Sequence, residues 1–185
     1  MKTSAYKLPE DNVLISFSGG RTSGYMLHQI LVANGGLPEC AKVVFANTGR
    51  EMNETLDFVQ ECSERWSVPI TWLEYNRRDN KVTFDIVNHN SAARNGEPFK
   101  KALMQPKILP NVHRRFCTQE LKVLTIKRYL VSLGWKEWTQ CIGIRADEKH
   151  RLKKSTEKRW EHWYPLHDAV ATKRTVVDFW NKQPF

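Results

Sequence analysis

Apolar and polar positions alternate along this chain in a repeated order. A continuous apolar run, Val13 to Phe17, breaks at Ser18-Gly19-Gly20, and apolar residues then return at Leu27, Ile30 and Leu31, the spacing of one helix face. The order recurs at Lys42–Ala46, which passes through Asn47-Thr48-Gly49 into a stripe made of Met52, Thr55, Leu56, Val59, Cys62 and Trp66. The pattern predicts strands at 13–17, 42–46, 70–75 and 138–144. It predicts helices at 22–34, 51–66, 119–133 and 172–182, with a short helix near 82–89. Thr118 is placed to cap the 119–133 helix and Gly134 to end it.

Strands alternating with helices imply an α/β fold whose parallel sheet, of about five strands, is covered by helices on both faces. Ligands of such sheets lie beyond the carboxyl ends of the strands. Ser18, Asn47 and Arg145 each follow a predicted strand, so they are expected on one rim. Residues 88–117 carry no clear periodicity but contain Pro98, Pro106 and Pro110 together with Phe99, Leu103, Met104, Ile108 and Leu109. A stretch of that length is read as a lid or substrate loop, the alternative being a disordered excursion. The 185 residues suit a single domain, 1–185, that closes with a basic segment and a helix over 145–185.

Composition narrows the partners. The formal net charge is +9, from 29 basic and 20 acidic residues, which favours anions such as nucleotides or nucleic acid. The excess is uneven, with six Lys or Arg against one acid in 88–117 and seven against three in 145–160. A solvated charged face is the plainer reading of each segment. No stretch approaches the apolar length of a membrane span or a signal peptide, so a cytoplasmic chain without a membrane partner is expected. Cys40, Cys62, Cys117 and Cys141 lie far apart. That spacing predicts reduced thiols, with no zinc ribbon and no iron–sulfur cluster.

The Val13–Gly24 stretch carries the chemistry. A strand that turns through small residues into a helix start aims backbone N–H groups at one point, and the helix dipole favours an anion there. Gly19 and Gly20 let an anion approach closely. Ser16, Ser18, Thr22 and Ser23 add hydroxyls, and Arg21 adds a cation. A Walker loop is excluded because Tyr25-Met26 stands where Lys and Ser or Thr are needed, and the dinucleotide fingerprint lacks its third glycine. An ordinary Gly-Gly turn between core elements is the alternative.

Ser18-Gly-Gly-Arg-Thr-Ser23 resembles the PP-loop of the adenine nucleotide α-hydrolase-like enzymes. Further resembling residues follow in order: Phe45-Ala-Asn-Thr-Gly49 with Glu51, Glu54 and Thr55; Arg115-Phe-Cys-Thr118 with Leu121-Lys122; Gly143-Ile-Arg145 with Asp147, Glu148 and Arg151; and Tyr164-Pro-Leu166 before a last helix. Together they resemble the phosphoadenosine phosphosulfate (PAPS) reductase family over nearly the whole chain. The resemblance implies a Rossmann-like sheet of the HUP type and an adenine nucleotide, ATP or PAPS, as substrate. It implies that Ser16, Ser18, Gly19, Gly20, Arg21, Thr22 and Ser23 hold phosphate or sulfate oxygens, and that Phe45, Ala46 and Asn47 border the adenosine. Gly143 and Arg145 would complete the binding site, with Arg145 offsetting charge at the α-phosphate or sulfonate and Arg21 holding the leaving pyrophosphate. Asp147 or Glu148 is the candidate for Mg²⁺, and Lys122 and Arg115 are further phosphate candidates.

Two departures matter. Many PP-loops carry Lys-Asp where this chain has Arg21-Thr22, which keeps the anion site but removes a carboxylate. PAPS reductases attack with a cysteine in a C-terminal Glu-Cys-Gly-Ile-His segment, whereas this chain has no cysteine after Cys141. Gln140-Cys-Ile-Gly-Ile144 resembles that segment only superficially, within a predicted core strand. Cys117 is the remaining candidate nucleophile, since Arg114, Arg115 and a following helix start would favour its thiolate; an inert buried thiol is the alternative. The leading expectation is adenylyl transfer at the α-phosphate with release of pyrophosphate. The rivals are sulfonucleotide reduction through Cys117 or a thiol donor protein, and a nucleic-acid-binding or sulfur-modification role through the basic segments.

Overall fold

The computed structural model describes residues 3–104 and 118–185. Six strands form one sheet: β1 (Val13–Ser16), β2 (Ala41–Asn47), β3 (Ile70–Arg78), β4 (Lys81–Val87), β5 (Trp138–Cys141) and β6 (Trp160–Trp163). Their order is β4-β3-β2-β1-β5-β6. β5 runs parallel to β1, pairing Leu14 with Gln140, and parallel to β6, pairing Trp138 with Trp160. The flanking helices are α1 (Arg21–Asn34), α2 (Asn53–Arg65), α3 (Glu97–Leu103), α4 (Thr125–Ser132), α5 (Pro165–Asp168) and α6 (Lys173–Trp180). The fold is α/β and mostly parallel, as the alternating pattern implies.

Several elements differ from expectation for identifiable reasons. The helix expected at 82–89 is the antiparallel strand β4, paired to β3 from Trp72–Val87 down to Arg78–Lys81. Asp79 and Asn80 both have positive φ, 49° and 60°, which is the two-residue hairpin turn whose twist matches the strands it joins. The sheet therefore has a sixth strand and an antiparallel edge. β5 ends at Cys141, and residues 142–144 continue without strand pairing. The basic segment contains β6, where Trp160 stacks on Trp138 with ring centroids 5.0 Å apart. The 88–117 stretch includes α3, and its residues 105–117 lie outside the described part. The helix expected from 119 opens as a π-helical turn, Thr118–Leu124, before α4. Gly134, at φ 84°, closes α4 as expected, with Trp135 N bonded back to Leu130 O.

The chain divides into two compact units. The first comprises Met1–Val43, Cys62–Pro69 and Lys136–Phe185, the second Val44–Glu61 and Ile70–Trp135. In the first, Val13, Leu14 and Ile15 of β1 and Met26, Leu27 and Ile30 of α1 are all essentially solvent-free. In the second, Tyr75, Ala102 and Leu121 form a core against which Val82 and Phe99 pack. Of the predicted α2 stripe, Leu56, Val59 and Cys62 are buried. Met52, which precedes α2, is 69% exposed, because the helical stripe begins only after Asn53.

Candidate functional site

In the first unit, β1 runs into the Ser18–Gly20 turn and α1 begins at Arg21. Gly19 adopts φ 75°, a conformation that disfavours any side chain. Gly20 caps the helix in an extended conformation and has no side chain to satisfy the amides that follow. The first bond of the helix runs from Gly24 N to Gly20 O, 3.0 Å. Helix geometry therefore leaves the amides of Arg21, Thr22 and Ser23 without a helical acceptor. Among the described residues a β-carbon on Gly20 would meet only Ser18 Oγ, at 3.8 Å, so none of them crowds this turn there.

The hydroxyls divide their roles. Ser23 is buried and its hydroxyl donates to Gly20 O at 2.8 Å. Having one proton, it must accept from its other partners, Ser18 N at 3.2 Å and Ser18 Oγ at 2.9 Å. Ser18 and Ser23 thus brace the turn from within, and the Ser18 amide is used internally. Ser16 Oγ accepts from Gln140 Nε2 at 3.2 Å, which ties it to β5. Thr22 Oγ1 accepts from Arg145 Nη1 at 3.2 Å, leaving its proton to turn towards a ligand. Arg21 is exposed.

Arg145 follows β5 and sits beside the start of α1, as the rim argument expects. The connecting chain is held by Ile142 N to Trp163 O and Ala146 N to Ala171 O, at 3.0 and 2.8 Å. Gly143 packs on the first turn of α1: a β-carbon there would lie 3.5 Å from Ser23 Cα and 3.7 Å from Ser23 N. The Arg145 fork grips Asp147, with Nε to Oδ1 at 2.9 Å and Nη2 to Oδ2 at 3.3 Å, while Nη1 lies 3.2 Å from Glu148 Oε2. Glu148 also pairs with Arg151.

Both carboxyls are held below their ordinary range. For Asp147 the Arg145 hydrogen bond is foremost, against a smaller opposing effect of burial. For Glu148, burial acts to raise the pKa, and the Arg151 hydrogen bond, the Arg145 amide and both guanidinium charges outweigh it. These carboxylates thus serve as counter-ions. Among the described residues no group of three His, Cys, Asp or Glu gathers to hold a metal.

The second unit organises the end of β2. Phe45 and Asn47 are fully buried and Ala46 nearly so; Phe45 meets Trp72 edge-on at 5.0 Å. All three side chains are shielded from solvent. Asn47 Nδ2 donates to Glu74 Oε1 at 2.7 Å and to Ala93 O at 2.9 Å, and its Oδ1 accepts from Gly49 N at 3.0 Å. Glu74 Oε1 takes the Ala93 amide as well, at 2.7 Å. Gly49, at φ 73°, lets the turn approach Gly96 and Pro98, where a β-carbon would lie 2.8 Å from Pro98 Cδ. Lys122 Nζ pairs with Glu51 Oε1 at 3.2 Å, which also accepts from Thr48 Oγ1. No sequence expectation falls on Glu74, although an acid inside the apolar run Trp72-Leu73-Glu74-Tyr75 signals it.

Cys141 is fully buried in β5 and burial pushes its thiol up, so it is no nucleophile. Cys62 is buried and Cys40 partly so. Cys117 and Arg115 lie outside the described residues. Lys149, Lys153, Lys154, Lys158 and Arg159 are exposed.

Residues 12–170 match the family model of the phosphoadenosine phosphosulfate reductase domain. The chain belongs to that family. Members of the PAPS reductase family are nucleotide-binding enzymes of sulfur chemistry, built on a PP-loop. A curated relative, the uncharacterized nin region protein ORF290 of Escherichia phage lambda, is 30% identical over 188 residues. The match takes in 93% of this chain and 60% of that protein, so the chain spans less than two thirds of its relative's length. The PAPS reductase of Candida auris, solved as a phosphate complex, superposes with a TM-score of 0.59 at 15% identity, over 96% of this chain and 75% of that one. The U34-tRNA thiolase NcsA of Methanococcus maripaludis, solved with its 4Fe-4S cluster, gives 0.52 at 12% identity, over 96% and 57%. At these identities the likeness is one of fold, the Rossmann-like HUP architecture. No helix among the described residues is long and apolar enough to cross a membrane.

Proposed function

We propose that this PAPS-reductase-family chain binds an adenine nucleotide through the start of α1 and acts at its α-phosphate. The observation that carries the reading is the set of Arg21, Thr22 and Ser23 amides that precede the first helical bond behind an open glycine turn. With ATP, a nucleophilic atom of an acceptor bonds to the α-phosphorus, the bond from that phosphorus to the α–β bridging oxygen breaks, and pyrophosphate leaves with the electron pair. The three amides, the Thr22 hydroxyl and Arg21 hold the pyrophosphate oxygens. Arg145, fixed by Asp147 and by Thr22 Oγ1, sets a guanidinium beside the same turn. Its charge is largely matched by its own carboxylates, and among the described residues Arg21 is the exposed cation at this turn.

PAPS is the competing ligand, and its reduction would draw on Cys117 or on a thiol donor protein. The burial of Cys62 and Cys141 favours adenylyl transfer over a reduction by either of those thiols. The exposed lysines between 149 and 158 support a nucleic acid as acceptor.

Calorimetry with ATP, PAPS and pyrophosphate, paired with a pyrophosphate-release assay, tests this reading. Arg21→Ala should weaken pyrophosphate and ATP binding about tenfold or more, the size of a lost charge-assisted contact. An unchanged affinity would remove Arg21 from the site, and an absence of binding by the unaltered chain would remove the reading itself.

A further inference from the structure

Trp180 ends α6 and is almost wholly buried, packed among Trp66, Phe179 and Phe185. Its indole Nε1 donates to the carbonyl oxygen of Arg21 at 2.8 Å, across 159 residues of sequence. That carbonyl belongs to the same peptide unit as the Thr22 amide, one of the three open donors at the start of α1. A hydrogen bond to a peptide oxygen draws electron density from its N–H and strengthens that N–H as a donor. It also fixes the plane of the peptide and hence the direction of the N–H. The Thr22 side chain is fixed independently, by Arg145 Nη1 at 3.2 Å. One residue of the cradle is therefore held at both its backbone and its side chain, from two elements that are remote in sequence.

We propose that Trp180 is a positioning residue for the anion site: its indole N–H polarises and orients the Arg21–Thr22 peptide so that the Thr22 amide donates to the bound phosphate oxygen. The inference rests on reading the start of α1 as the anion site. It goes beyond that reading by giving the C-terminal helix a part in ligand binding. The bond is unlike ordinary packing because its benefit grows when a negative charge sits on the far side of the peptide.

Two replacements of Trp180 separate the N–H from the ring. Trp180→Phe keeps an aromatic ring and deletes the donor. Substitution by the isosteric benzothienylalanine keeps the bicyclic shape and deletes only the donor. Pyrophosphate and ATP serve as probes by calorimetry, and the Thr22 amide is followed in proton–nitrogen NMR spectra. Both variants should bind roughly two- to fivefold more weakly, about the gain one cooperative partner gives a charge-assisted bond. Both should also move the Thr22 amide proton upfield in the free protein. The melting temperature of the benzothienylalanine protein should stay close to that of the unaltered chain. Full affinity with an unmoved Thr22 amide in the benzothienylalanine protein overturns the inference and leaves the anion site standing. Failure of the unaltered chain to bind either probe overturns the site, and the inference with it.

Discussion

Replacing Asn47 by alanine should cost about 3–5 kcal/mol of folding stability, read as a fall in the denaturant midpoint at unchanged slope. Asn47 is fully buried and meets three partners at once, the Glu74 carboxylate, the Ala93 carbonyl and the Gly49 amide. Alanine leaves all three short of a bond where water does not readily reach. The cost of each orphaned group exceeds the net worth of a single satisfied bond, because the desolvation penalty remains in full. Asn47→Asp should be about as damaging, since it removes the Nδ2 donor and sets a second carboxylate against Glu74. A loss below about 1 kcal/mol for Asn47→Ala would mean that the end of β2 is not held by this network. The resemblance to the PAPS reductase family implies that Asn47 borders adenosine, but its side chain is committed to structure. Its bonds fix the Gly49 amide and the Ala93 carbonyl in place.

Gly143→Val should lower pyrophosphate and ATP affinity at least tenfold, whereas Gly143→Ala should be nearly silent. The contrast follows from distance. A β-carbon at 143 meets Ser23 Cα at 3.5 Å, Ser23 N at 3.7 Å and Met26 Sδ at 3.8 Å, all ordinary contacts. The two further methyl groups of valine would crowd these contacts. They must either lie over the Ser23 amide or push α1 away from the chain that follows β5. Overpacking of this kind typically costs 1–3 kcal/mol, so about that loss of stability should accompany the loss of binding. Calorimetry and thermal unfolding on the same samples separate the two effects. If the valine variant bound both ligands normally, the Ser23 amide would not belong to the cradle.

The start of α1 was legible in the sequence because local chemistry dictates it. An apolar strand, a Ser-Gly-Gly break and a period near 3.6 leave few other structures open. The edge hairpin is legible too, but its short run fits two periods. Val82, Phe84 and Ile86 alternate with Lys81, Thr83 and Asp85, and Asp79-Asn80 is a turn pair, yet a short amphipathic run also fits a helix. β6 was hidden by the charges on either side of Trp160–Trp163. What sequence could not supply is pairing across distance. Nothing near Glu74 announces Asn47, nothing near Arg145 announces that its fork closes on its own Asp147, and nothing near Trp180 announces Arg21. The charge reading suffered most from this. Arg145 looked like a free cation for the reacting phosphorus, and the structure matches it with two acids.

The most direct test of the anion cradle is a pyrophosphate titration followed by proton–nitrogen NMR on the unaltered chain. The amides of Arg21, Thr22 and Ser23 should move downfield together, saturably and ahead of the rest of the backbone, and the same three should respond to ATP. If those three amides stay still while pyrophosphate binds elsewhere, or if no amide responds at all, the start of α1 is a structural turn and not a phosphate site.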